Sequence, residues 1–159
     1  MSSPALNSPS VERVRDALSR AGLGDTIVEL PGAARTAKAA AEYLGCEIGQ
    51  IANSLVFRAQ ASDQALLVMS SGAKRVALDR LTALVGEPIG KADADFVRER
   101  TGFTIGGVPP VGHGLKPYVE KSLAAYRELW AAAGHPHTVF RLTYPELLRI
   151  TGGAEADLA

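Results

Sequence analysis

Nine consecutive residues, Gly106-Gly107-Val108-Pro109-Pro110-Val111-Gly112-His113-Gly114, contain four glycines and two prolines. No helix or regular strand tolerates that composition. Proline lacks an N–H and locks its φ, and glycine loses more conformational freedom on ordering than any other residue. The segment is therefore an irregular loop, and regular elements must lie before and after it. A loop so poor in side chains exposes main-chain N–H groups, which can hold an anion or a developing oxyanion. A tight connection between two elements explains the composition equally well. The paired glycines and the adjacent His113 favour a site.

On either side, the residue pattern predicts short helices alternating with short strands. Ser10 is placed to cap a helix whose apolar face is Val11, Val14, Leu18 and Ala21, closed by Gly22. Thr26 to Leu30 reads as a strand. Thr36 caps an alanine-rich helix through Leu44, ended by Gly45. Ser54 to Phe57 and Ala65 to Ser70 are two apolar runs, joined by a polar hairpin loop, and Lys74 to Ala77 is a further extended candidate. Asp79 opens a helix through Val85, and Asp93 or Asp95 caps another through Arg100. Phe103 to Ile105 is a strand candidate, Leu123 to Ala133 has helical composition, and Thr138 to Leu142 reads as a strand. Thr143 and Glu146 form a capping box for a last helix that ends near Thr151. The alternation lacks a strict βαβ rhythm, which predicts one mixed α/β domain with a partly antiparallel sheet and surrounding helices. Residues 1–9, rich in Ser and Pro, are expected to be a flexible N-terminus, residues 10–153 the domain, and residues 154–159 a short C-terminal tail.

The 159 residues carry 17 basic and 17 acidic side chains, for a formal net charge of zero. Both signs are spread evenly, with no basic arm. Coating a long nucleic acid by counterion release calls for a basic excess, so that mode is disfavoured. A single cysteine, Cys46, excludes an intrachain disulfide, and no basic cluster beside it activates the thiol. The longest aliphatic run, Ala65 to Met69, is too short to span a bilayer, and Met1-Ser2-Ser3-Pro4 begins no secretory signal. A cytoplasmic protein is expected, with no membrane association.

Other motifs carry less. Ser71-Gly72-Ala73-Lys74 matches an S-x-x-K string, but that chemistry needs Ser at a helix start, and here a strand precedes and a glycine intervenes. His135-Pro136-His137 brings two imidazoles together, yet a zinc site needs further ligands, and only His113 and Cys46 remain to supply them. No metal and no cofactor is expected. No P-loop, G-x-G-x-x-G or G-x-S-x-G string occurs.

Several ordered segments together resemble the YbaK/EbsC-like family of aminoacyl-tRNA deacylases, which includes the editing domain inserted in bacterial prolyl-tRNA synthetases. They are Thr36-Ala37-Lys38-Ala39-Ala40, residues 50–57 (Gln-Ile-Ala-Asn-Ser-Leu-Val-Phe), residues 70–76 (Ser-Ser-Gly-Ala-Lys-Arg-Val), residues 101–112 and residues 133–140. The resemblance spans about Val11 to Gly153. It implies a curved sheet with one pocket, and hydrolysis of a mischarged aminoacyl ester, most often on proline tRNA. The tRNA acceptor end is the implied partner, with association to a synthetase. The family's G-x-x-x-P element falls on Gly106 to Pro110, so the amides of Gly106 and Gly107 would position the reacting carbonyl or its water. The wider site expected around them comprises Val108, Pro109, Pro110, Gly112, His113, Ser71, Lys74, Gly134 and His137.

Two departures stand out. Where family members carry lysine, in a string like Ile-Val-Lys-Ser-Leu-Val-Phe, this chain has Asn53, which offers hydrogen bonds but no charge. Lys74 or Lys38 would have to compensate. At residues 132–134, Ala-Ala-Gly replaces the Ser-Gly-Gly of some relatives, removing a hydroxyl. The leading expectation is a trans-editing hydrolase using Gly106, Gly107 and Asn53. The alternative is a binding module of the same fold that holds tRNA ends, an aminoacyl-like small molecule or a protein.

Overall fold

The computed structural model describes residues 5–159. Residues 1–4, part of the stretch expected to be flexible, lie outside the described residues. Five helices are present among the described residues: α1 (Pro9–Arg20), α2 (Ala37–Leu44), α3 (Leu78–Val85), α4 (Ala94–Thr101) and α5 (Tyr144–Thr151). They alternate with β1 (Ile27–Glu29), β2 (Ile51–Ala59), β3 (Gln64–Ser71), β4 (Ile89–Lys91), β5 (Tyr118–Glu120), β6 (Leu129–Ala132), β7 (Thr138–Leu142) and β8 (Ala154–Ala156). Short 3-10 turns occupy Ile48–Gln50 and Lys121–Ala125.

The strands form one mixed sheet in the order β1-β7-β6-β2-β3-β5-β8, with β4 added on β2. The β2–β3 hairpin is its longest ladder, in register from Ala52↔Ser71 to Ala59↔Gln64. Period-two alternation sends the two faces of this hairpin to different partners. Ala52, Leu67 and Met69 join Val14 and Leu18 of α1, Val97 of α4 and Leu147 of α5 in the main core. On the opposite face Ile51 packs with Ala40 and Ala41 of α2, and Val68 packs with Leu81 of α3. Helices thus cover both faces of a mixed α/β domain, as expected.

Several boundaries differ from the sequence reading. Ser8, not Ser10, caps α1: its hydroxyl accepts from the Val11 N–H at 3.2 Å, and Pro9 takes the first helical position, where no N–H is needed. Of the two candidate caps for α4, Asp93 is the one used, accepting from the Phe96 N–H at 2.8 Å, in agreement with that reading. Residues 74–77 and 103–105 are irregular rather than extended. The segment with helical composition, Leu123 to Ala133, holds a 3-10 turn and strand β6. There Leu129 and Ala131 point into the core and Trp130 to the α2 face, a period of two that overrides alanine's helix preference. Three-residue strands β4 and β5 escaped notice because they are too short to show a period.

The expected tail is built into the fold. Strand β8 runs parallel to β5, and Leu158 is 1% exposed beside Val68 and Leu81. The Ala77 N–H donates to the Leu158 carbonyl at 2.6 Å. Leu158→Ala is expected to cost about 2–5 kcal/mol. Thermal unfolding should then show a midpoint lowered by roughly 5 °C or more; an unchanged midpoint would contradict this packing.

Candidate active site

One edge of β2 is shared between two strands. Ile51 and Ala52 pair with β6, whereas Phe57 to Ala59 pair with β4. Among the described residues, none pairs as a strand with the stretch between on that edge. The Ile51 carbonyl accepts from the Gly72 N–H, on the β3 side. Alternation therefore turns the N–H and C=O of Ser54 into the gap. A cavity of about 200 Å³ opens there. Asn53, Ser54 and Leu55 form one wall. Ala34, Thr36, Ala37 and Ala40, at the start of α2, form a second. Trp130 and Ala132 of β6 form a third, and Ile105, Gly106 and Val108 of the glycine–proline loop close the last. The lining is mostly apolar, and alanine methyls leave the space.

The loop owes its shape to close backbone packing. The Gly107 N–H donates to the Thr104 carbonyl at 3.0 Å, and Gly106 adopts a φ of +90°, which side chains disfavour. A Cβ on Gly107 would lie 3.0–3.2 Å from backbone atoms of Gly134 and His135. Gly134 in turn lies so close to α1 that a Cβ there would fall 2.8 Å from the Ser10 carbonyl oxygen. The loop therefore rests on residues 134–135, which rest on α1. Among the described residues, the N–H groups of Gly106 and Val108 donate to no protein acceptor.

His113 acts inside the loop. Its Nδ1 accepts from the Leu115 N–H at 3.1 Å, so Nε2 carries the proton and donates to the Pro109 carbonyl at 2.8 Å. Burial pushes its pKa below the ordinary imidazole value, so the ring is neutral. Phe103 packs edge-on against it, and Arg13 lies 4.3 Å over the Phe103 ring.

The structure brings Asn53, Gly106 and Val108 of the expected set to the cavity. Gly107, Gly134, Pro109 and His113 lie behind it as supports, with the Gly107 amide already committed to Thr104. Ser71 is buried away from the cavity, donating to the Gly49 carbonyl at 2.8 Å, and Lys74 is exposed beyond that turn. Pro110 and Gly112 line a separate shallow cleft with Arg20 and Lys116. His137 faces His135, ring centroids 5.3 Å apart, and the main-chain N–H of His137 donates to His135 Nδ1. Among the described residues no three His, Cys, Asp or Glu side chains gather as for a metal. Burial pushes the Cys46 thiol pKa up, as in an unactivated cysteine.

Sequence reasoning missed Arg35, Ser54, Ile105 and Trp130. Ser54 has no local signal, because its importance comes from where two other strands stop. Arg35 had one, its place directly before the cap residue Thr36, whose hydroxyl accepts from the Ala39 N–H. It is the charged residue of the lining.

Residues 32–150 match the model of the aminoacyl-tRNA editing domain family, three-quarters of the chain, and the protein belongs to that family. Aminoacyl-tRNA editing is the activity for which that family is named. A crystal structure of a candidate trans-editing enzyme for prolyl tRNA synthetase is 49% identical, with a TM-score of 0.87 over 95% of this chain and 97% of that one. A scaffold protein used for computational grafting of a linear epitope is 47% identical, with a TM-score of 0.88 over 95% and 97% of the two chains. The uncharacterized protein YwhH of Bacillus subtilis (strain 168) is 29% identical over 140 residues, 87% of this chain and 88% of its own. No helix among the described residues is long and apolar enough to cross a membrane.

The neutral clamp in the loop is testable. In the native protein His113 should titrate below 6.5, its ordinary value, when followed by NMR. Below that pH the unfolded chain binds a proton that the native state refuses. Stability should therefore fall as pH drops from 6.5 toward the lowered native pKa, and level off beneath it for this group. A native pKa at or above 6.5 would contradict the clamp.

Proposed function

We propose that this protein acts in trans on mischarged proline tRNA, hydrolysing the ester of a small, wrong amino acid. The observation that carries the reading is one small cavity lined by Gly106 and Val108, whose amides are uncommitted, by the open edge of β2 and by Asn53. The similarity to the candidate trans-editing enzyme for prolyl tRNA synthetase supports the choice of tRNA.

In this reading the aminoacyl side chain enters among the alanines of α2 and β6. The carbonyl oxygen meets the N–H groups of Gly106 and Val108, which are fixed before the reaction begins. The Ser54 carbonyl, on the open edge of β2, accepts from the substrate's α-ammonium group. Asn53 both donates and accepts, and so holds the attacking water. Water adds to the carbonyl carbon, and negative charge collects on the oxygen facing the amides. Collapse breaks the bond to the ribose oxygen, which takes the proton given up by the water, relayed by the neighbouring ribose hydroxyl. Free amino acid and tRNA leave. No Asp, Glu, His, Lys or Cys lines the cavity, so the ester's own reactivity and its positioning carry the rate. Selection is by size, and one methylene discriminates by only about 1–3 kcal/mol.

Asn53 also favours a second reading, the binding module, because it removes a charge from the family's usual position. The two separate in one experiment. Proline tRNA charged with alanine, serine, cysteine or proline is incubated with the protein, and free amino acid is measured. The small residues should be released at least about tenfold faster than proline. Asn53→Lys should keep or raise the rate, and Asn53→Ala should lower it. Tight binding with no release above the uncatalysed rate from any ester would leave the binding module and refute the hydrolase.

A further inference from the structure

Arg35 stands at the rim of the cavity as the charged residue of its lining, beside an uncommitted amide and an exposed apolar side chain. Its backbone is held on both sides. The Ala34 N–H donates to the Pro136 carbonyl at 2.8 Å, and Thr36 is fixed as the cap of α2. Its stem lies along the loop: a Cβ built on Gly106 would sit 3.9 Å from both Cα and Cγ of Arg35. The side chain is exposed and takes part in none of the ion pairs found among the described residues. No carboxylate lines the cavity to neutralise it. Ile105, 51% exposed, flanks it at the same rim. Neither Lys38 nor Lys74, the cations expected to compensate for Asn53, lines the cavity.

We propose that Arg35 is the phosphate anchor of the site, gripping the phosphate on the 5′ side of the substrate's terminal nucleoside, with Ile105 supporting that nucleoside. The identity of the ligand rests on the editing reading above. An aminoacyl ester seated in the cavity leaves its ribose at the mouth. The nearest formal negative charge of an aminoacyl-tRNA is then the phosphate that joins this ribose to the preceding nucleotide. A guanidinium presents a planar fork that pairs with two phosphate oxygens at once, which an ammonium group cannot do. A cation at the rim, outside the apolar chamber, acts on binding and leaves the chemical step to the amides within. The charge absent at position 53 is thus supplied from another element, and displaced from the ester toward the nucleic acid.

Binding needs no turnover and is read first. A fluorescein-labelled, uncharged proline-tRNA acceptor minihelix ending in CCA is titrated by anisotropy at several salt concentrations. Arg35→Gln should weaken binding about tenfold and lower the slope of log K against log salt by about one. Arg35→Lys should recover part of both. For the wild type, a minihelix lacking the terminal adenylate should bind about as weakly as the full minihelix binds Arg35→Gln. Turnover is read second, with an alanyl minihelix and with 2′(3′)-O-alanyl adenosine, which has no phosphate. Arg35→Gln should reduce the preference for the minihelix about tenfold, through KM. Equal binding and equal salt slopes for wild type and Arg35→Gln would overturn the proposal. An equal loss on both esters would also overturn it, placing Arg35 on the ester itself. If no ester is hydrolysed at all, the editing reading fails, and the binding arm alone still decides whether Arg35 holds a phosphate.

Discussion

The division of one edge of β2 governs this molecule. A strand exposes N–H and C=O groups alternately on its two edges, and buried groups of this kind must find partners. Strand β3 satisfies one edge of β2 throughout its ladder. On the other edge, parallel β6 and antiparallel β4 pair with opposite ends and leave a gap between them. Unpaired main-chain groups persist only where water or a ligand can reach them. The gap is thus both a break in the sheet and a reason for a cavity, and every wall of the site is an element packed around it.

The loop that faces this gap gains rigidity without side chains. Gly107 presses on residues 134 and 135, where a Cβ would be crowded by backbone, and Gly134 presses on α1, where a Cβ would collide with it. His113 ties Pro109 to Leu115, and its burial keeps it neutral, so the tie needs no counter-charge. An oxyanion hole is effective only when its donors are oriented before charge develops. For the amides proposed here to play that part, the orientation comes from backbone stacked on backbone. Glycine suits Gly107 and Gly134 because a Cβ would crowd neighbouring backbone, and it suits Gly106 and Gly134 because both adopt a positive φ.

The charge pattern follows the same economy. A neutral chain is poorly suited to track a long polyanion, yet the proposed editing reaction requires it to hold only an acceptor end. One guanidinium at the rim of an apolar chamber produces a local field that the overall balance conceals. In the proposed reading, this arrangement separates holding the nucleic acid, at the rim, from polarising the ester, in the interior.

The helix caps at Thr36 and Thr143, the β2–β3 hairpin and the irregular loop were legible in the sequence, because each is set by residues a few positions apart. So was the family, through short strings in fixed order. Strand β6 was not, since an alanine-rich segment follows its local preference until parallel pairing with β2 supplies its hydrogen bonds. Strand β8 was not, since three residues have no period. Of the expected site, Asn53, Gly106 and Val108 reach the cavity, while Ser71, Lys74 and His137 do not. Adjacency to a motif in sequence does not say which way a turn carries a side chain. By itself, the sequence determined that the chain forms a mixed α/β domain with one rigid, amide-rich loop. Only the tertiary structure decided that this loop faces the open edge at Ser54 and that Arg35 stands over it. Those contacts join residues far apart in the chain, and their geometry depends on where neighbouring strands end rather than on any local preference.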